Sequence, residues 1–176
     1  MTFGPQVNVD QSKDMLDFFL SSGFNEVDTA YVYNNGDTER ILGQIISPSI
    51  KDRLSVSTKV HPRVTGLLDR SSIIKQVDES LTRLKIEVID KLYIHFPTTS
   101  TPIEETLNVI NDLYKAGKFL KFGLSNYPSW LVIEIVNLCK RESLVQPSLY
   151  QGMYNAITRR VENELLPALD FKGINF

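Results

Sequence analysis

Polar residues close short apolar runs at positions 28, 59, 95, 125 and 151, spaced 31, 36, 30 and 26 residues apart. Each run is followed by a segment with helical apolar spacing, so the repeating unit is one strand plus one helix. Repeating βα units with short connections impose a parallel sheet with right-handed crossovers, which either winds doubly or closes into a barrel. The first strand is not followed by Gly-x-Gly-x-x-Gly, and the chain has no Gly-x-x-x-x-Gly-Lys. Both Rossmann and P-loop architectures are thereby disfavoured. Polar residues at successive strand ends favour the barrel, where every strand ends on the same face.

The elements follow in order. Met1 to Val9 turns at Gly4-Pro5 and reads as the tail of a strand and its loop. A first helix runs from about Asp10 or Ser12 to Ser22, with Met15, Phe18, Phe19 and Ser22 as its apolar face and Gly23 at its left-handed stop. Glu26 to Ala30 is a short strand, and Thr38 to about Ile46 is a helix ending before Pro48. The stretch from Leu54 alternates and is rich in β-branched residues, as a strand ending at Lys59 requires. Ile74, Val77, Leu81 and Leu84 mark the next helix, and Val88 to Phe96 is dense enough for a strand buried on both faces. Thr101-Pro102-Ile103-Glu104 carries a capping box, with proline in the first turn of a helix that stops at Gly117. Lys121 to Leu124 is a strand, Ser129 to about Arg141 a helix, Ser148 to Gln151 a strand, and Val161 to about Leu169 a helix. Gly173 to Phe176 begins another strand.

Of the 176 residues, 42% are hydrophobic and 23% charged, enough for a sizeable core. A net charge of -2 without any basic patch gives no reason to expect nucleic acid or an anionic membrane as partner. Cys139 is the single cysteine. Its neighbours Ile135, Val136 and Leu138 predict a buried, inert thiol in a reducing, cytoplasmic compartment. No stretch approaches the roughly 20 apolar residues of a membrane-spanning helix, and no targeting pattern opens the chain. Two histidines and one cysteine at unrelated positions form no zinc ligand set, so no metal is expected.

The stretch Glu-Val-Asp28-Thr-Ala-Tyr-Val-Tyr33 sets an acid at a strand end and a tyrosine five residues later. It also reads as an ordinary βα loop, with Asp28 capping a turn and the tyrosines as partial core. In a barrel, Asp28, Tyr33, Lys59 and His95 converge on one mouth. An ammonium beside a phenol is expected to lower the tyrosine pKa from about 10, with the carboxylate keeping the lysine charged. Such a tyrosine donates a proton to a carbonyl oxygen as hydride reaches the carbon, and His95 hydrogen-bonds the same oxygen. Two other readings stand beside this one. Lys59 and Asp28 form a buried ion pair that only specifies packing, or Lys59 is the Schiff-base lysine of an aldolase-like barrel. His61, just past the Lys59 strand, reads as a surface-loop histidine.

Across nearly the whole chain these segments resemble the aldo-keto reductases, and within them the aflatoxin-aldehyde reductase branch. The resemblance is carried by Val-Asp-Thr-Ala-Tyr-Val-Tyr with Gly36, Glu39 and Leu42-Gly43, by Ser-Thr-Lys59, by Leu-Tyr-Ile-His95, and by Thr-Pro-Ile-Glu-Glu-Thr-Leu. Gly-Lys-Phe with Gly123-Leu-Ser-Asn-Tyr and Tyr150-Gln-Gly-Met-Tyr-Asn155 complete it. It implies one partial domain over residues 1–176, on an α/β parallel (β/α)₈ TIM barrel. The implied function is NADPH-dependent reduction of aldehydes and ketones to alcohols, with Tyr33 as proton donor and Asp28, Lys59 and His95 as the other catalytic positions. By the same matching Ser125, Asn126 and Gln151, together with Asp28, hold the cofactor.

A complete barrel takes about 250 residues. Relative to the family, about six βα units are expected in this chain, without the start of strand one or the units after strand seven begins. The phosphate-gripping loop of the family lies in that remainder, so the chain alone is expected to reduce carbonyls poorly or not at all. The alternative is a catalytically inactive remnant, or a partner that pairs with a full-length reductase or with itself through open barrel edges.

Overall fold

The computed structural model describes residues 3–176, and in it five parallel strands lie side by side in chain order. They are β1 (Glu26–Asp28), β2 (Ser55–Val60), β3 (Ile89–Ile94), β4 (Phe119–Ser125) and β5 (Leu149–Gln151). Among the described residues seven helices accompany them: α1 (Val9–Ser21), α2 (Asp37–Ile45), the single turn α3 (Pro48–Lys51), α4 (Arg70–Leu84), α5 (Ile103–Lys115), α6 (Ser129–Arg141) and α7 (Leu165–Lys172). The sheet curls into an incomplete (β/α)₈ barrel. Past β5, Leu149 bridges in parallel to Asn175, where the sequence predicts the onset of a further strand.

Strand pleating divides the sheet into two chemically different faces. Val27 pairs with Val56, Thr58 with Leu92, Val60 with Ile94, Leu92 with Phe122 and Ile94 with Leu124. These residues face the helices and form most of the sheet's share of the apolar core. Phe119 and Phe122 are each 1% exposed, and such burial contributes about 2–3 kcal/mol per side chain. On the opposite face Asp28 pairs with Ser57, Lys59 with Tyr93, Gly123 with Leu149 and Ser125 with Gln151. The side-chain period of 2 therefore puts every candidate strand-end residue on one polar surface.

Several local expectations are corrected. The packed face of α1 is Ser12, Leu16 and Leu20, whereas Met15 and Phe18 are exposed. Both sets have helical spacing, and α1 packs against α2 with the smaller leucine stripe buried. The helix starts with a capping box that composition did not single out: Asn8 Oδ1 accepts from Gln11 N at 2.9 Å and Gln11 Oε1 from Asn8 N at 3.2 Å. The box predicted at Thr101 does not form, because Pro102 is the N-cap without a side-chain bond. Thr101 Oγ1 instead accepts from Leu68 N at 3.0 Å, and Thr106 Oγ1 donates to Leu68 O at 2.9 Å. Two hydroxyls thus satisfy both backbone groups of one buried residue ahead of α4.

The helix expected from Val161 breaks into a 3₁₀ turn at Arg160–Glu162 and then α7. Pro167 has no N–H and its ring would clash four residues back, so the helix restarts at Leu165 with the proline in its first turn. Of the N-terminal segment, Met1 and Thr2 lie outside the described residues, and Phe3 to Val7 forms a turn closed by Gly4 N donating to Val7 O at 2.9 Å.

Candidate active site

The chain remains in register with β2 after β1 ends. Thr29 N donates to Ser57 O at 2.9 Å and Tyr31 N to Lys59 O at 3.1 Å. Tyr33 N then donates back to Ala30 O at 3.0 Å, which folds the Tyr33 side chain over the end of β2. Asp28, Tyr33 and Lys59 are brought together by backbone pairing before any side chain contributes.

Lys59 is the organising charge. Its side chain is 0% exposed, and Nζ donates to Asp28 Oδ2 and to Thr29 O, both at 2.6 Å. The ammonium lies 5.1 Å from the Tyr33 ring centroid and 5.9 Å from that of Tyr93, in reach of cation–π attraction. Tyr93 has space for its ring because its cross-strand neighbour is Gly123, where a Cβ would lie 2.4 Å from two Tyr93 ring carbons. His95 continues the β3 ladder, its N donating to Val60 O at 2.9 Å. Its imidazole meets the Tyr33 ring edge-on with centroids 5.6 Å apart.

The electrostatics depart from the sequence expectation in one respect. Burial, and then the charge of Asp28, push the Tyr33 phenol above its ordinary pKa, where a lowered one was predicted. Lys59 does not reverse this, because its charge is already met by a carboxylate and a carbonyl and lies over the ring face. Burial pushes Lys59 itself down, opposed by Asp28. His95 is pushed down to about 3 by burial, then by Lys59, His61 and Arg63, and is a neutral imidazole near pH 7. Its Nδ1 is buried and has no hydrogen-bond partner among the described residues.

His61 is no surface histidine. Its ring is half-buried, edge-on to His95 at 4.9 Å between centroids, and its Nδ1 accepts from Arg63 N at 3.0 Å. Burial and Arg63 hold its pKa below the ordinary value. The first residue past a strand that points at the mouth was the available signal. Sequence reasoning also gave Glu39 no role beyond carrying the resemblance, and passed over Arg83. Glu39 is 0% exposed, accepts from Thr58 Oγ1 at 2.7 Å and pairs with Arg83 Nη1 at 3.2 Å. An acid on the apolar side of α2 was the sign of a buried partner.

At the far side of the mouth, Ser125 ends β4 and Gln151 ends β5 as its paired neighbour. Asn126, in a left-handed conformation at φ 61, donates from Nδ2 to His95 O and to Ser125 Oγ, both at 2.9 Å. Among the described residues the Gln151 amide makes no hydrogen bond, and the Ser125 hydroxyl proton has no acceptor. A free amide beside a hydroxyl donor suits a planar carboxamide, which presents one acceptor and one NH₂ donor. Among the described residues no cluster of histidine, cysteine and acidic side chains could hold a metal ion, and no helix is long and apolar enough to cross a membrane. Cys139 is fully buried on α6, which pushes its thiol up to about 11.

A family model described as the aldo/keto reductase family matches residues 1–176. Human aldo-keto reductase family 7 member A3 is 42% identical over 178 aligned positions, covering 100% of this chain and 54% of that protein. Rat aflatoxin B1 aldehyde reductase member 2 is likewise 42% identical, covering 100% of this chain and 48% of its own length. An aldo-keto reductase of the fungus Pseudocercospora fijiensis is 41% identical over 167 positions, 92% of this chain and 55% of that protein. The chain spans about half the length of the curated relatives it matches.

Proposed function

The chain belongs to the aldo/keto reductase family, and from that premise we propose that it serves NADPH-dependent reduction of aldehydes and ketones to alcohols, with Tyr33 as proton donor. The observation that carries this reading is the meeting of Tyr33, Lys59, Asp28 and His95 on the polar face of the sheet. An ammonium paired at 2.6 Å with a carboxylate lies beneath a phenol whose edge partner is a neutral imidazole.

Each of these residues has a definable task. Because burial and Asp28 push its pKa up, Tyr33 holds its proton through the neutral range and is loaded as a donor. Giving that proton to a carbonyl oxygen leaves a phenolate, and Lys59 is the cation in place to stabilise it. Asp28 and Thr29 O keep that ammonium from turning away. His95 is neutral near pH 7, so it orients the substrate oxygen through an N–H without competing for the Tyr33 proton. Ser125, Asn126 and Gln151 would hold the nicotinamide carboxamide, with Asp28 also at the cofactor. When bound, NADPH supplies the hydride.

NADPH binding followed by fluorescence and turnover of 4-nitrobenzaldehyde test the reading in parental and Tyr33→Phe proteins. Loss of a positioned proton donor should lower turnover by about 10²–10⁴-fold with cofactor affinity retained. Equal turnover in the two proteins overturns it, and a parental protein that neither binds NADPH nor reduces the aldehyde overturns it in favour of the catalytically inactive remnant.

A further inference from the structure

We propose that Arg83 is a positioning residue for Tyr33, acting as a clamp on the loop that carries the phenol. The proposal rests on the role of Tyr33 as proton donor argued above. Three consecutive residues after Tyr33 are left-handed: Asn34 at φ 50, Asn35 at φ 54 and Gly36 at φ 89. Such a run is unfavourable for L-residues, and asparagine and glycine are the types that tolerate it. It must therefore be held from outside.

Arg83 of α4 supplies that hold from behind the loop. Its Nη1 donates to Tyr31 O at 3.3 Å, two residues before Tyr33, and its guanidinium carbon lies 4.2 Å from the Tyr31 ring centroid. Three residues after Tyr33, a Cβ on Gly36 would meet Arg83 Nη1 at 2.6 Å and Cζ at 2.7 Å. One guanidinium thus touches the chain on both sides of the phenol-bearing residue.

The guanidinium is itself fixed by two carboxylates. Nη1 pairs with Glu39 Oε2 at 3.2 Å and Nη2 with Glu79 Oε2 at 2.9 Å. Glu79 Oε2 also accepts from the Tyr31 hydroxyl at 2.6 Å. The other oxygen of Glu39 accepts from Thr58 Oγ1 at 2.7 Å, and Thr58 precedes Lys59. The clamp therefore references the Tyr33 loop to the same strand that carries the ammonium. Only a planar fork makes these contacts together, so lysine at position 83 could keep the charge but not the geometry. Asn34 Nδ2 also donates to Phe3 O at 2.9 Å and to Thr38 Oγ1 at 3.0 Å, a second tether on the same loop that is untouched by substitutions at position 83.

The test compares Arg83→Ala, Arg83→Lys and Tyr31→Phe with the parental protein, each checked for a cooperative melt. The first readout needs neither cofactor nor turnover: the ¹³Cζ resonance of Tyr33, identified by its absence in Tyr33→Phe, is followed as pH rises. The charged and titratable groups facing this phenol are Asp28, Lys59 and His95, none of which is altered. A loosened loop should move the Tyr33 midpoint down toward that of free tyrosine, in Arg83→Ala and also in Arg83→Lys. Methylguanidinium should reverse the shift in Arg83→Ala. Tyr31→Phe, which loses the hydroxyl's contacts with Glu79 and Arg83 but keeps the guanidinium and its bond to Tyr31 O, should shift it the same way by less, and it decides the matter if Arg83→Ala does not fold. The second readout is aldehyde turnover, where a displaced donor should lower kcat by about a hundredfold with NADPH affinity unchanged. A Tyr33 midpoint and kcat within about twofold of parental values in folded Arg83 variants overturn the clamp. A parental protein without turnover overturns the carbonyl-reducing reading, and the Tyr33 titration still decides the clamp.

Discussion

Replacing Asp28 by asparagine removes the counter-charge of Lys59 while keeping the side chain's shape, and its effect on stability can be worked from the geometry. Lys59 is 0% exposed and Asp28 40% exposed at a contact of 2.6 Å. Breaking a wholly buried pair by removing one partner costs about 3–5 kcal/mol, because a buried charge is left behind. Solvent reaches Asp28, so the attraction is partly screened, and about 2–3 kcal/mol is the expected loss near pH 7. For a chain of this length that lowers Tm by about 5–10 °C. The pH dependence has a defined sign. Lys59 has a folded pKa below its ordinary 10.5, so between the two values the unfolded chain binds more protons and stability rises with pH. In Asp28→Asn, burial acts without opposition, the folded pKa falls further and the rising window opens at lower pH. The deficit should therefore be largest where Lys59 is protonated in both states and should shrink as pH approaches about 10. Urea unfolding of both proteins, followed by far-UV circular dichroism from about pH 7 to about pH 10, measures it. A deficit under about 0.5 kcal/mol at neutral pH, or one that is unchanged at the alkaline end, refutes the reasoning.

Two further expectations follow from the same pocket. The His95 imidazole should show no NMR titration near 6.5, since burial and nearby cations push its midpoint down to about 3. Its neutral form then contributes stability that is complete above about pH 6.5 and is lost toward acid by up to about 1.4 kcal/mol per pH unit. His95→Gln should flatten that slope in urea melts, and a resonance titrating near its ordinary value defeats the claim. Gly123→Ala forces a methyl to 2.4 Å from the Tyr93 ring and should cost about 1–3 kcal/mol by thermal or urea melting. A variant as stable as the parent would mean that Tyr93 has another rotamer open to it.

The parallel architecture was legible because its cause is periodic. One apolar run and one helical segment per unit, with a polar residue at each junction, admit few topologies, and α6 occupies the predicted Ser129–Arg141 span. Faces were less legible than spans. Met15 and Phe18 are larger apolar residues than Ser12 and Leu16, yet the latter are the buried ones, and only packing against neighbours such as α2 could decide between two stripes of equal period. Thr101 illustrates a different limit. Its motif is a capping motif, but a buried N–H at Leu68 competes for the hydroxyl and wins, a choice no local window contains. The identity of the strand-end residues was legible for the same reason as the strands were. The direction of the Tyr33 pKa was not, because it depends on whether the Lys59 charge is already spent on Asp28 and Thr29 O.

The residues proposed for proton transfer and those proposed for the nicotinamide carboxamide occupy different halves of the sheet. Asp28, Tyr33, Lys59 and His95 belong to β1, β2, β3 and their ends, whereas Ser125, Asn126 and Gln151 belong to β4 and β5. Parallel strands set the distance between the halves only as well as the β3–β4 ladder does, and His95 and Ser125 lie just at or beyond its last pair, Ile94 with Leu124. Asn126 closes that step by donating to His95 O and Ser125 Oγ at once, and it adopts φ 61 to do so. Asparagine suits this place because it accepts the left-handed backbone at little cost and has the two amide protons the bridge consumes. Its Oδ1 is not used by either bond, so the residue that aligns the two halves still has an acceptor to offer a ligand.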